Sequence, residues 1–509
     1  MNSCLMKQRI TIFTILLVLS ATTGLFSQPL AKKQLEELSH DISSDEVYGY
    51  VLEMADPKYK GRLAGSPEYM DVARWTADRF REWGIEPAGD NGTYLQHFKQ
   101  PYSDVFTAGS FSLNLDGKKQ EYFAPEDYYP GSNAAAGEVE GELVFAGYGI
   151  TAPDLGYDDY QEIDVQGKIV VIASGNPYKG DDVTLRNQWG TFSSGRYKLQ
   201  NAMEQGASGA IYMDKLANPG APYGEGFIYV HAGDRPVADI FNAAGKNPRE
   251  LFKTIDETMV PQSFDLGLSA ALTADTKYHP EGMTANVVGV IPGSDPLLKD
   301  EVIIMGGHLD GQGYMGLLFP SALDNASGVA NVMGAARALA QLKGKLKRSV
   351  VFILFGAEET GLVGSEFYCM NPYFPAEQTV MFMNLDMVGN GKGLAVRGSE
   401  SFPELNQHFV WANENILKQS LRTAPYRHPV GRPRTDGAMF SLNGFRAFSV
   451  GTTDRVNPLY YHDPRDTAEL LVPQVMRDAA RLLFVSTARV ATDDSFRASD
   501  LPPVSQFVN

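Results

Sequence analysis

Four apolar runs in the second half of the chain restrict the fold more than any other feature: EVIIMGG at 301–307, SVVFILFGA at 349–357, TVMFMNL at 379–385 and FRAFSVGT at 445–452. None alternates apolar with polar residues, so each reads as a strand covered on both faces. NVVGVIPG opens the series, and helical patterns fall between the strands, including a long one from Ala326. This alternation predicts an α/β domain with a mixed, mostly parallel central sheet and helices on both faces. In such sheets ligands gather beyond the carboxyl ends of the strands. There the sequence places His308 after the first run, Glu358 and Glu359 after the second, Asp386 after the third and His462 beyond the fourth. Asp324, in SALDNASG, stands just before the helix that starts near Ala326.

Taken singly, these residues have ordinary explanations. Asp324 could cap a helix, Glu358 and Glu359 could be first-turn carboxylates, Asp386 a turn residue and His462 a loop histidine. Five such coincidences in chain order explain less than one metal site rich in oxygen and nitrogen and free of thiolate, a donor set that suits zinc.

At 509 residues the chain exceeds what one core usually supports. Lys7 and Arg9 precede an apolar run from Ile10 to Phe26. That pattern reads as a secretory signal peptide over 1–27, with an uncleaved anchor as the alternative. The expectation is a secreted or periplasmic protein with no stable membrane insertion after cleavage. Residues 28–136 begin with helical patterns, Ser43 to Ala55 and Ser66 to Trp83, the second opened by Ser66-Pro67-Glu68. Over 137–278 the texture changes to short strands with Gly and Pro turns around a helical stretch from Arg196 to Glu204, which predicts an inserted β-rich module. The α/β domain resumes over 279–492, followed by a tail at 493–509. After loss of the leader only Cys369 remains, so no internal disulfide is available. The net charge of −17, without a Lys/Arg stripe, excludes nucleic acid as a natural partner.

GGHLDG, SALDNASGVA, FGAEETGLVGS, NLDMVG and YYHDPRDT together resemble the motif series of the co-catalytic zinc exopeptidases. That family includes secreted leucyl aminopeptidases, aminopeptidase Y, glutamate carboxypeptidase and the non-enzymatic transferrin receptor. The resemblance covers roughly 280–490 and implies two Zn2+ per chain. Asp324 would bridge them, His308 and Asp386 completing one and Glu359 and His462 the other. It also implies Glu358 as general base, Tyr461 as a group that helps hold the oxyanion, Asp310 as the acid that orients the His308 imidazole, and a cis peptide bond at Asp324-Asn325. GELVFAGYGI, DVQGKIVVI and KLQNAMEQGASGAIYM resemble the protease-associated domain that interrupts many members, with a role in covering or shaping the substrate cleft. His231 and His279, within or beside it, read as ordinary polar residues.

The implied activity is hydrolysis of peptide bonds in peptides or small proteins, preferably from the N-terminus. A catalytically dead receptor-like protein would have lost ligands, and a one-zinc glutaminyl cyclase relative would have discarded some; here the set is complete. A carboxypeptidase of the glutamate carboxypeptidase type needs arginine forks for a terminal carboxylate. Arg397, Arg422, Arg427, Arg432 and Arg434 keep that alternative open. The oligomeric state is unknown from sequence.

Overall fold

Continuous apolar strands need cover on both sides, and every residue of Val302–His308, Ser349–Phe355 and Thr379–Leu385 is buried. A computed structural model describes residues 30–507; the leader expected at 1–27 lies outside them. The strands of the main sheet used below are Met283–Ile291 (β1), Val302–His308 (β2), Ser349–Phe355 (β3), Thr379–Leu385 (β4), Gly393–Gly398 (β5), Leu421–Pro425 (β6) and Ala447–Thr453 (β7). Starting from the short strand Glu86–Pro87, the sheet runs β1-β3-β2-β4-β7-β5-β6, with Leu95–Lys99 also paired to β1. The four central strands β3-β2-β4-β7 are parallel, whereas β1 and β5 run antiparallel to their inner neighbours. His308 lies level with Phe355, and Gly306 with Asn384, so β2, β3 and β4 end on one rim.

The strand period of two divides the core. Ile303, Met305, Val350, Phe352 and Leu354 enter one apolar cluster, shared with residues of the helices Ser44–Met54, Pro67–Glu82, Ser327–Ala340 and Pro473–Thr492. Val302, Ile304, Val351, Ile353 and Phe355 enter a second, with Tyr368 and Phe440 from the helices Val363–Met370 and Asp436–Leu442. The N-terminal helices start where their caps are. Ser43 accepts the amide of Glu46, and Ser66 that of Tyr69 with Pro67 in the first turn.

A second sheet carries the inserted unit, in the order Lys118–Tyr122, Tyr102–Leu115, Phe264–His279, Gly137–Phe145, Ile169–Ala173, Gly209–Met213, Ile228–Ala232 and Tyr128–Pro130. It begins earlier in the chain than residue 137. The hairpin that extends it turns at Asp116-Gly117, both left-handed, which is strong hairpin chemistry. The C-terminal tail docks: buried Arg446 donates to the carbonyls of Ala498 and Leu501, both at 3.1 Å.

Arg62, fully buried, ties the N-terminal segment to the rim. It donates to the carbonyls of Leu309 (2.9 Å), Met54 (2.8 Å), Pro320 (2.9 Å) and Ser321 (2.8 Å), fixing both ends of the 309–321 loop. Replacing it strands several buried acceptors, each costing about 1–3 kcal/mol. Arg62→Met is expected to lower unfolding stability by about 3–5 kcal/mol in urea titration. A loss below about 1 kcal/mol would show that the four bonds do not hold the loop.

Candidate metal centre

His308 is the last residue of β2, and Gly307 before it lets β4 approach: a Cβ there would lie 2.3 Å from the Leu385 carbonyl oxygen. The next strand ends deliver Glu358 and Glu359 beyond β3 and Asp386 beyond β4. Asp324 sits in the turn before the helix Ser327–Ala340, and its bond to Asn325 is cis. His462 lies beyond β7, itself in the left-handed region at φ 52, as are Ala357 and Met387 beside other site residues. Such backbone persists where surrounding contacts impose it.

These side chains converge on a pair of triads that share one residue. Oδ1 of Asp324 lies 3.2 Å from His308 Nε2, which is 3.6 Å from Asp386 Oδ1. Its other oxygen, Oδ2, lies 3.5 Å from His462 Nε2, which is 3.0 Å from Glu359 Oε2. Ligand-capable atoms of His308, Asp324 and Asp386 all fall within 4.8 Å of one another, as do those of Asp324, Glu359 and His462. Glu358 groups with His308 and Glu359 but belongs to neither triad that contains Asp324.

The electrostatics describe an anionic cavity. Burial works against charge on His308 and His462, yet the surrounding carboxylates prevail and hold both imidazoles well above the ordinary histidine range. Burial likewise pushes Glu358 well up, with Glu359 adding to the effect and His308 opposing it. Asp436, buried beside the site, is raised by burial to about 6. Among the described residues no lysine or arginine pairs with Asp324, Glu358, Glu359 or Asp386, while Glu359 Oε1 and His462 Nε2 are buried without a hydrogen-bond partner. Orphaned donor atoms, excess carboxylate and an O/N donor set fit zinc.

Supporting contacts show which residues the motifs left unnoticed. Asp466, buried, accepts the amides of Leu323 (2.9 Å) and Asp324 (3.0 Å), and burial raises its pKa to about 7. Asn325 accepts the amides of Gly328 (3.0 Å) and Met387 (3.1 Å) and donates to the Leu385 carbonyl (2.8 Å), which ties the Asp324 turn to the Asp386 strand end. Asp310 faces His308 with its backbone as well as its carboxylate. Its main-chain carbonyl lies 3.2 Å from His308 Nδ1, while its carboxylate is 3.7 Å away and accepts the amides of Glu358 and Glu359, both at 3.1 Å. Burial lifts that carboxyl to about 7. Tyr461, half-buried, stacks on the His462 ring at 3.7 Å and lines the cleft above the site. The inserted unit reaches in as well, its Ala217 carbonyl lying 2.9 Å from His462 Nδ1. His231 instead faces the Asp214 carbonyl, and His279 pairs with Asp104.

Two family models match stretches of the chain. Residues 286–487 match the model of peptidase family M28, and 139–247 that of the PA domain. The M28 match takes in all five residues of the two triads that share Asp324. Leucine aminopeptidase 2 of Arthroderma otae is 26% identical over 363 residues, covering 70% of this chain and 61% of its own length. Of the two leucine aminopeptidases it matches in that organism, the chain spans 56% and 61%. Two solved structures share the fold across both sheets. The aminopeptidase from Aneurinibacillus sp. strain AM-1 has a TM-score of 0.61 at 21% identity, covering 91% of this chain and 96% of its own. BSAP, a zinc aminopeptidase from Bacillus subtilis, has a TM-score of 0.59 at 19% identity, covering 90% and 98%. The second sheet thus takes in the stretch that matches the PA domain and extends beyond it through the hairpin from Tyr102.

Removing Asp466 leaves two buried amides without an acceptor. Asp466→Ala is expected to cost about 2–4 kcal/mol of stability and to weaken zinc binding, with Asp466→Asn recovering part of both through its remaining oxygen. Denaturation and zinc titration of the two variants check this. Unchanged zinc affinity in Asp466→Ala would mean that the Asp324 turn holds its shape unaided.

Proposed function

We propose that this chain is an exported two-zinc exopeptidase that removes N-terminal residues from peptides or small proteins, with Glu358 as general base. The observation that carries it is the placement of the two Asp324 oxygens, one against His308 and one against His462, at 3.2 and 3.5 Å. A carboxylate so placed can serve two cations at once, His308 and Asp386 completing one site and Glu359 and His462 the other. Zinc held there supplies Lewis-acid polarisation of the peptide carbonyl and makes water acidic enough to ionise near neutral pH.

The chain's own residues do the remaining work. Glu358, outside both triads and made more basic by burial, takes the proton of the attacking water. The water oxygen bonds to the carbonyl carbon, the C–N bond breaks, and Glu358 passes the proton to the departing amine. Tyr461 keeps its phenol proton, since burial and the neighbouring carboxylates of Glu359 and Asp324 push its pKa up. Its O–H can therefore donate to the oxyanion as charge develops. Direction of attack is supported by the leucine aminopeptidase relatives and by Glu358 and Glu359 at the cleft, which suit a substrate ammonium. Export rests on the apolar leader; among the described residues no helix is long and apolar enough to cross a membrane.

Glu358→Gln is expected to keep its zinc while turnover falls by about 10²–10⁴; near wild-type turnover with zinc retained would remove Glu358 from the proton path. Asp324→Ala is expected to lose both zinc ions together by elemental analysis, and one fully occupied zinc in that variant would refute the bridge. A dipeptide amide with a free amine is expected to be cleaved where an N-acetylated dipeptide with a free carboxylate is not. Cleavage of the second alone would reverse the direction of attack.

A further inference from the structure

The two halves of the metal centre are held by different parts of the fold. On the His308 side the supports belong to the main-sheet unit. His308 ends β2, its Nδ1 lies 3.2 Å from the Asp310 carbonyl, and the loop that follows is clamped by Arg62. Asp386 lies between a carbonyl and an amide that both bond to Asn325, those of Leu385 at 2.8 Å and Met387 at 3.1 Å.

His462 stands in a long loop after β7. At its start the Asn457 amide donates to Asn390 at 3.0 Å, and at its end Asp466 accepts the amides of Leu323 and Asp324. Between these anchors, the metal-facing atoms aside, the hydrogen bonds that residues 458–465 make outside the loop all end on the inserted unit, among the described residues. The Ala217 amide donates to the His462 carbonyl at 3.2 Å, and the Ala217 carbonyl lies 2.9 Å from His462 Nδ1. Tyr129, 1% exposed on the last strand of the second sheet, donates its phenol proton to Asp463 at 2.8 Å. Asp463 in turn accepts the backbone amide of Arg465 at 2.9 Å and its guanidinium at 2.7 Å. Tyr129 and Ala217 pack in one apolar cluster with Met315 and Phe319, where the two units meet. Glu359 is flanked from the same side: a Cβ on Gly220 would lie 3.2 Å from the Glu359 carbonyl oxygen. The His462 backbone is left-handed at φ 52, a conformation that a histidine keeps only where contacts impose it. The contacts that bracket it are those of Ala217. Released from them, the loop would relax and turn the imidazole away from Glu359 and Asp324.

We propose that the inserted unit is a positioning element for one of the two metals. Tyr129 and the Ala217 main chain hold the His462 loop in its ligating form, so zinc at Glu359 and His462 depends on the docked second sheet, whereas zinc at His308 and Asp386 does not. The inference rests on the two-zinc reading above and adds an order of assembly. The His308 side fills first, and the other half of the centre, with Tyr461 beside it, is completed only when the two units are docked. Tyr129 is a positioning residue: it acts on the metal through Asp463 and the His462 backbone and touches no ligand atom itself.

The test uses the full chain and compares Tyr129→Phe, which removes one hydroxyl, with Tyr122→Phe, which removes a phenol that donates to Asp239 at 2.8 Å elsewhere in the same unit. Zinc titration in competition with a chromophoric chelator reads the two binding steps, and anomalous diffraction at limiting zinc assigns them to their sites. In Tyr129→Phe the weaker step is expected to loosen by about tenfold or more, the usual effect of removing one support of a metal ligand, while the tighter step moves by less than about threefold. The zinc peak beside His462 loses occupancy and the peak beside His308 stays full. Excess zinc then restores turnover, which a catalytic role for the phenol would not allow. In Tyr122→Phe both steps stay as in the parent, and circular dichroism and melting temperature check that each variant is folded. The parent alone gives a second reading: at about one equivalent of zinc the peak is expected beside His308, and a lone peak beside His462 overturns the order of assembly. Equal weakening of both steps in Tyr129→Phe, or of neither, overturns the positioning role and leaves the two-zinc reading intact. A parent that saturates with one zinc or none overturns the two-zinc reading and the inference with it.

Discussion

One carboxylate organises this molecule. Asp324 is 5% exposed, shares its two oxygens between two histidines, and is held by amide donation from its own backbone and that of Leu323 to Asp466. Its neighbour Asn325 bonds across to the end of β4, so the position of Asp386 follows from the same turn. Around it stand Glu358, Glu359, Asp386 and Asp436, a concentration of anions that a protein interior does not tolerate without cations. The strong upward shift of His308 and His462 expresses that demand, since protons are recruited where divalent charge would serve better. The rest of the rim, including the four carbonyl bonds of Arg62 to the Asp310 loop and its supports, keeps these groups from moving apart.

The inserted unit is part of the site and not only a cover over it. The Ala217 amide donates to the His462 carbonyl at 3.2 Å while the Ala217 carbonyl faces the ring nitrogen turned away from the cavity. Tyr129 donates to Asp463 at 2.8 Å, and Arg196 to the carbonyl of Thr360, next to Glu359. Both residues on the Glu359–His462 side therefore have supports from a segment that lies more than 100 positions away in the chain. Groups that fix the far nitrogen of a ligating imidazole set its tautomer and ring plane. Docking of the second sheet and assembly of that half of the centre are thereby coupled.

Much of this was legible in the sequence because the sheet obeys simple rules. Apolar strands without alternation specified a doubly covered sheet, and parallel order placed their polar successors on one rim, so His308, Glu358, Glu359 and Asp386 could be collected before any coordinates. Ser43 and Ser66 announced their helices in the same direct way. Other features depend on contacts between distant segments and carry no local signal. Asp466 looks like a loop residue until its two amides are seen, and Ala217 contributes only its main chain. The strands Tyr102–Leu115 and Lys118–Tyr122 join the second sheet ahead of the change of texture at 137, with their Asp116-Gly117 turn readable in the sequence. Asp310 shows the finer limit: its importance was legible, but which of its oxygens faces His308 is a matter of backbone geometry.

The bridging role proposed for Asp324 is tested most directly by anomalous diffraction at the zinc edge on crystals of the metal-loaded protein. Two peaks of similar height are expected, about 3.5–4 Å apart, one beside His308 and Asp386, the other beside Glu359 and His462, with an Asp324 oxygen against each. A single peak, or two peaks of which only one touches Asp324, would contradict the shared carboxylate and the two-cation centre built upon it.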